Sequence, residues 1–134
     1  MFWRQCTWPF LWAAIIVVFS LLPAKELDHL GIDHLFSYDK LGHLLMYTLQ
    51  VFFLAVGFRK QYQFLQLRYH HLMFAFAAGN SLGIAMEIVQ ALFIPGRMAS
   101  VYDLLANILG AMLGLLLFLV VYGRSPYADV TSRN

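Results

Sequence analysis

Apolar residues fall into four long runs, divided by short polar or turn-forming stretches. The runs cover about residues 2–22, 41–58, 72–94 and 102–122. Each is close to the roughly 20 residues needed to cross a hydrocarbon core. In lipid a spanning segment must satisfy its own backbone groups, so each run is predicted to be a helix. The pattern predicts an all-α membrane protein with four transmembrane helices in one bundle. The dividers differ in character. Pro23 to Asp39 is polar and carries Glu26, Asp28, His29, Asp33 and His34. Arg59 to His71 is basic, Pro95 to Val101 opens on Pro-Gly, and Gly123 to Asn134 is a polar tail. No repeat or low-complexity linker interrupts the chain, which reads as one domain over residues 1–134.

Arg4 ahead of the first run gives it the look of a secretory signal. The Leu21-Leu22-Pro23-Ala24 stretch makes a poor cleavage site. Trp3, Trp8 and Trp12 suit a membrane interface. A retained first helix is the expectation.

Composition agrees with this pattern. Of the 134 residues, 61% are hydrophobic and 12% charged, against about 25% charged in a soluble domain. That leaves too little polar surface to cover a water-facing globule. The net charge of +2 is spread without a basic block, which argues against a nucleic-acid partner. Cys6 is the sole cysteine, so neither an internal disulfide nor a cysteine-based metal site is available.

Charge bias suggests an orientation. With four spans, the N-terminus, the middle loop and the C-terminus share a side, carrying Arg4, Arg59, Lys60, Arg68, Arg124 and Arg133. The other side carries Lys25, Lys40 and Arg97. The richer side is expected to be cytoplasmic, so both termini face the cytoplasm. A multi-pass protein of the cell (inner) membrane follows, with lipid as its partner.

The polar residues near the spans gather at the outward ends. Asp39, Lys40 and His43 open the second span, and Tyr47 continues the His43 face. Asn80, Gly83, Glu87 and Gln90 form one stripe on the third span. Glu87 lies seven residues before Ile94, or roughly 10 Å along a helix. A carboxylate at the bilayer centre costs about 2.5–3.5 kcal/mol or more, so Glu87 must face other helices or a wet cavity. Asp103 and Asn107 begin the fourth span, and Gly110 and Gly114 extend their face as a G-x-x-x-G. That face is expected to meet the Glu87 face of the third span. Arg97, just past the turn, is expected to pair with Glu87 and lie beside Asp103. Ser100-x-x-Asp103 also has the form of a capping box, which offers Asp103 a purely structural role.

The run Glu87-x-x-Gln90-x-x-x-x-Pro95-Gly96-Arg97, then Asp103-x-x-x-Asn107-x-x-Gly110, closely resembles the VanZ-like family. So does Asp39-Lys40-x-x-His43-x-x-x-Tyr47. The resemblance is strongest over residues 39–117. It implies a small multi-helix bacterial membrane protein. The family's namesake is associated with low-level resistance to teicoplanin, a lipoglycopeptide acting at the outer membrane surface.

Three functional readings stay open. In the first, the outward cluster binds a polar head group or amphiphile and contributes to envelope or glycopeptide tolerance. Arg97 and Lys40 would contact anionic groups, with Glu87, Asp103 and Asn107 positioning them. In the second, an integral membrane enzyme acts on a lipid-linked substrate, with His43 and Glu87 as acid and base. The residues lean away from an enzyme. In the third, the network only holds helices together within an oligomer or a complex with another membrane protein. His43, Glu87 and Asp103 form a conceivable ligand set, but no HExxH-type spacing supports it, so neither metal nor cofactor is expected.

Overall fold

The computed structural model describes residues 2–21, 39–95 and 98–123. Among the described residues it contains five helices and no strand. They are α1 (Phe2–Leu21), α2 (Asp39–Arg59), α3 (Leu65–Tyr69), α4 (His71–Phe93) and α5 (Val101–Tyr122). Four of them, α1, α2, α4 and α5, are long and apolar enough to cross a membrane. These are the four runs of the sequence, with ends shifted by a few residues at most. The short α3 is an addition: within the basic divider, Leu65–Tyr69 forms one exposed turn and a half ahead of α4. The loop between α1 and α2, and the tail after Gly123, lie outside the described residues.

α2 is the axis of the bundle. It touches α1, α3, α4 and α5, whereas α1 and α5 do not touch each other. Its sequence explains this place. His43, Tyr47, Gln50, Val51 and Ala55 are all buried, so this helix carries both polar and apolar interior positions along its length. One apolar cluster joins Val51 and Ala55 to Ala75 of α4 and to Ala111 and Phe118 of α5. A second joins Tyr47 to Ile16 of α1 and Met86 of α4. Trp12 Nε1 donates to Met46 O at 2.9 Å and fixes α1 against α2. Outward positions on α5 such as Leu109, Met112 and Leu116 are exposed, as befits a surface for lipid.

The G-x-x-x-G seam of α5 faces a different neighbour from the one expected. A Cβ on Gly110 would collide with Leu44 O, and one on Gly114 with Thr48 O. Both glycines therefore let α5 lie directly on the backbone of α2, and not on the Glu87 face of α4. The short 95–100 connection does make α4 and α5 neighbours. It leaves rotation about the α5 axis undecided, and backbone packing onto α2 decides it. Thr48 Oγ1 donates to Leu44 O at 2.7 Å, so its polar group is answered within α2 at the crossing.

Overpacking a close crossing costs about 1–3 kcal/mol. Gly110→Ala is therefore expected to lower the thermal midpoint of the detergent-solubilised protein. Val120→Ala, on a 76% exposed position, is expected to change stability by no more than about 0.5 kcal/mol and so to leave the midpoint near that of the parent. Equal midpoints for the two variants would contradict the seam.

Candidate functional site

Three spans bring one charged or titratable side chain each to a common point. His43 from α2, Glu87 from α4 and Asp103 from α5 each offer a ligand atom, and these atoms lie within 4.8 Å of one another. Helix periodicity puts Glu87 and Gly83 on the same face of α4. Gly83 leaves room there: a Cβ at that position would sit 3.0 Å from Asn107 Nδ2 and 3.3 Å from Tyr47 Cε1. Asn107, Tyr47 and His43 thus share the space beside the α4 backbone.

His43 is held from two sides. Its Nδ1 lies 2.9 Å from Asn107 Oδ1. An amide oxygen can only accept, so Nδ1 is the donor of this pair. Tyr47, one turn deeper, stacks on the imidazole with 6.4 Å between centroids and 7° between planes.

Glu87 and Asp103 are linked through the start of α5. Ser100 is the N-cap, and its Oγ accepts from Asp103 N at 3.3 Å. In a full capping box the third-position carboxylate would accept the N-cap N–H in return. Here the Ser100 N–H donates to Glu87 Oε2 instead, at 3.2 Å. A carboxylate from another helix takes that donor, and Asp103 extends into the cluster. The capping reading of Asp103 is therefore half realised: its backbone is capped, and its side chain stands beside His43 and Glu87.

Three of the buried side-chain atoms left without a partner belong to this cluster, and the others, Gln50 Oε1, Arg59 Nε and Asn80 Oδ1, lie on other residues. Among the described residues, Glu87 Oε1, Tyr47 Oη and Asn107 Nδ2 are buried without a hydrogen-bond partner. Buried polar groups are normally satisfied. Two ionised carboxylates at the 4.8 Å limit would also repel by roughly 3.5 kcal/mol at an effective dielectric of ~20. The site as built calls for a proton, a cation or a polar ligand.

Not every residue expected here joins the cluster. Gln90 Nε2 donates to Ser20 O at 3.0 Å, tying the end of α4 to α1. Its stripe position is correct, but one further turn carries it past the cluster to the other neighbour. Lys40 is exposed and lies over the Tyr102 ring, 4.8 Å from Nζ to the centroid. Asp39 is the first residue of α2, with its side chain outside the described set. Arg97, the partner expected for Glu87, also lies outside the described residues. Sequence reasoning missed the backbone N–H of Ser100 as the donor to Glu87. The capping motif itself was the available signal, since it marked this N–H as one needing an acceptor.

At the opposite end, polar groups close the bundle. Arg59 Nη1 donates to Tyr122 O at 3.1 Å, and its guanidinium lies over the Phe118 and Tyr122 rings. A cation at a helix C-terminus is favourable there.

Helices and site together define a class: a polytopic, all-helical membrane protein with a polar cluster enclosed in one end of its bundle. The chain belongs to the VanZ/LLP1 family, whose family model matches residues 3–122. That match reaches back over α1, beyond the 39–117 stretch in which the motifs stand out. Searches of curated proteins and of solved structures returned no significant match.

Removing the Asn107 side chain should release the ring of His43. Asn107→Ala is expected to shift the imidazole hydrogen from Nδ1 towards Nε2, read by 15N chemical shifts of labelled histidine. The lost buried hydrogen bond should cost about 1–3 kcal/mol of stability. An unchanged histidine spectrum would contradict the pairing.

Proposed function

We propose that this membrane protein of the VanZ type binds the polar end of a membrane amphiphile at the His43–Glu87–Asp103 end of its bundle. One observation carries the reading. A polar cluster with unanswered buried atoms draws on α2 and α5, the two helices that also line an apolar groove. The groove has a volume of about 580 Å³ and is lined by Leu44, Leu109, Met112, Leu113, Leu116 and Leu119, with Leu115. It begins one residue after His43 and two after Asn107, and it follows α5 away from the cluster. An acyl chain suits the groove, and a phosphate or sugar head group suits the cluster. Lys40 adds a cation at the rim.

The Lys and Arg bias supports placing the cluster at the outer leaflet of the cell membrane, with both termini in the cytoplasm. A head-group binder in that position would act where lipoglycopeptides act, which accommodates a contribution to envelope or glycopeptide tolerance. A second reading is an integral membrane enzyme on a lipid-linked substrate. It draws on the same convergence, with His43 and Glu87 as proton carriers, and needs bond cleavage to support it. The third reading, a purely structural network in an assembly, gives no role to the unanswered Glu87 oxygen.

Lipid retained by detergent-purified protein, quantified by mass spectrometry, tests the proposal. Glu87→Gln and Asp103→Asn should each reduce the retained polar lipid at least about fivefold, a loss of roughly 1 kcal/mol. Met73→Ala, on an exposed face of α4, should not. Equal retention by all three, in well-folded preparations, would overturn it. A product formed from a lipid-linked substrate would favour the enzyme instead. For the orientation, alkaline phosphatase fused after Asn134 should be inactive and a fluorescent protein there bright; the reverse would invert the topology.

A further inference from the structure

We infer that His43, Glu87 and Asp103 form a divalent-cation site, deepening the head-group reading by naming what its polar cluster holds. One imidazole and two carboxylates supply a nitrogen and at least two oxygens, a donor set suited to Zn²⁺ or Mn²⁺. Two carboxylates and a neutral imidazole balance a charge of +2, so the buried set is neutral when filled. The atoms are close enough. Two ligands at about 2.1 Å from one ion are at most about 4.2 Å apart. In a four-coordinate site such ligands stand roughly 3.4 Å apart, so from separations within 4.8 Å a pair closes by at most about 1.4 Å, shared between two side chains, to seat an ion.

Two further observations point to a ligand, beyond the closeness of the three donors. Glu87 is 6% exposed, and its Oε1 has no hydrogen-bond partner among the described residues. Its other oxygen is steadied by the Ser100 N–H, as ligating carboxylates commonly are. Asn107 engages Nδ1 of His43, so a metal would take the ring through Nε2. Metal-bound histidines are characteristically held this way through their second nitrogen. The sequence has no HExxH-type spacing because the three donors come from three helices, each contributing one. Three protein ligands leave at least one coordination position for water or an oxyanion. The buried Tyr47 hydroxyl, stacked below His43, is the neighbouring donor for such a group.

The test uses the full chain, purified in detergent from metal-depleted medium and checked for helicity and monodispersity. Equilibrium dialysis against micromolar Zn²⁺ or Mn²⁺, with elemental analysis, should find about one ion per chain. His43→Ala, Glu87→Gln and Asp103→Asn should each weaken binding at least tenfold. Asn107→Ala keeps all three ligands and should weaken it about 10–100-fold, the range for loss of a group that orients a ligating histidine. Should a variant fail to fold, Co²⁺ added to the parent protein decides: a ligand-field band in the visible supports the site, and the spectrum of aqueous Co²⁺ overturns it. Absence of stoichiometric binding by the folded parent overturns the proposal, as does binding indifferent to Glu87→Gln and Asp103→Asn. Lipid retention measured with and without EDTA separates the two readings. Metal bound without retained lipid sinks the amphiphile reading alone, and lipid retained without metal sinks this one alone.

Discussion

A carboxylate carried into a lipid-immersed bundle has to be answered by its neighbours, and the rest of this structure is arranged around that need. Glu87 sits on α4 at a depth where exposure to hydrocarbon would cost several kcal/mol. It is buried among helices instead. One oxygen accepts from the N–H of Ser100, the N-cap of α5, the other is buried without a partner among the described residues, and the carboxylate lies beside His43 and Asp103. That arrangement needs α5 and α2 close together, and Gly110 and Gly114 make this close approach possible. It also needs α4 to come near Asn107 and Tyr47, and Gly83 leaves the room. Small residues and polar residues thus serve one geometry from different helices.

Because lipid supplies no hydrophobic drive between helices, packing and polar contacts carry their association. This chain uses both in separate layers. Alanines and Phe118 pack between α2, α4 and α5 in the deeper part of the bundle. The titratable cluster occupies one end, and the Arg59 cap over Tyr122 closes the other. An apolar groove runs along α5, lined by exposed and half-buried leucines and Met112 of that helix together with Leu44 of α2.

Much of this was legible in the chain before any coordinates. The four apolar runs match α1, α2, α4 and α5, since the bilayer imposes length and helicity together. The stripe through Gly83 and Glu87 and the pair Asp103/Asn107 lie on interior faces, because periodicity alone places them. Rotations and partners were less legible. Gly110 and Gly114 meet α2 and not α4, and Gln90 reaches Ser20 of α1. Both outcomes depend on how three helices are turned about their axes, which spacing within one helix does not encode. The convergence of His43, Glu87 and Asp103 is of the same kind. Each residue is ordinary on its own helix, and only the bundle makes them a set.

The convergence itself is the central claim, and a double-mutant cycle measures it most directly. Stability of Glu87→Gln, Asp103→Asn and the double variant would be compared with the parent in detergent, without added metal. Residues sharing one cluster couple by about 0.5–3 kcal/mol, whereas distant sites add within about 0.3–0.5 kcal/mol. The account predicts coupling above about 0.5 kcal/mol, with repulsion relieved by either substitution and the double gaining less than the sum. Simple additivity of the two substitutions would contradict it.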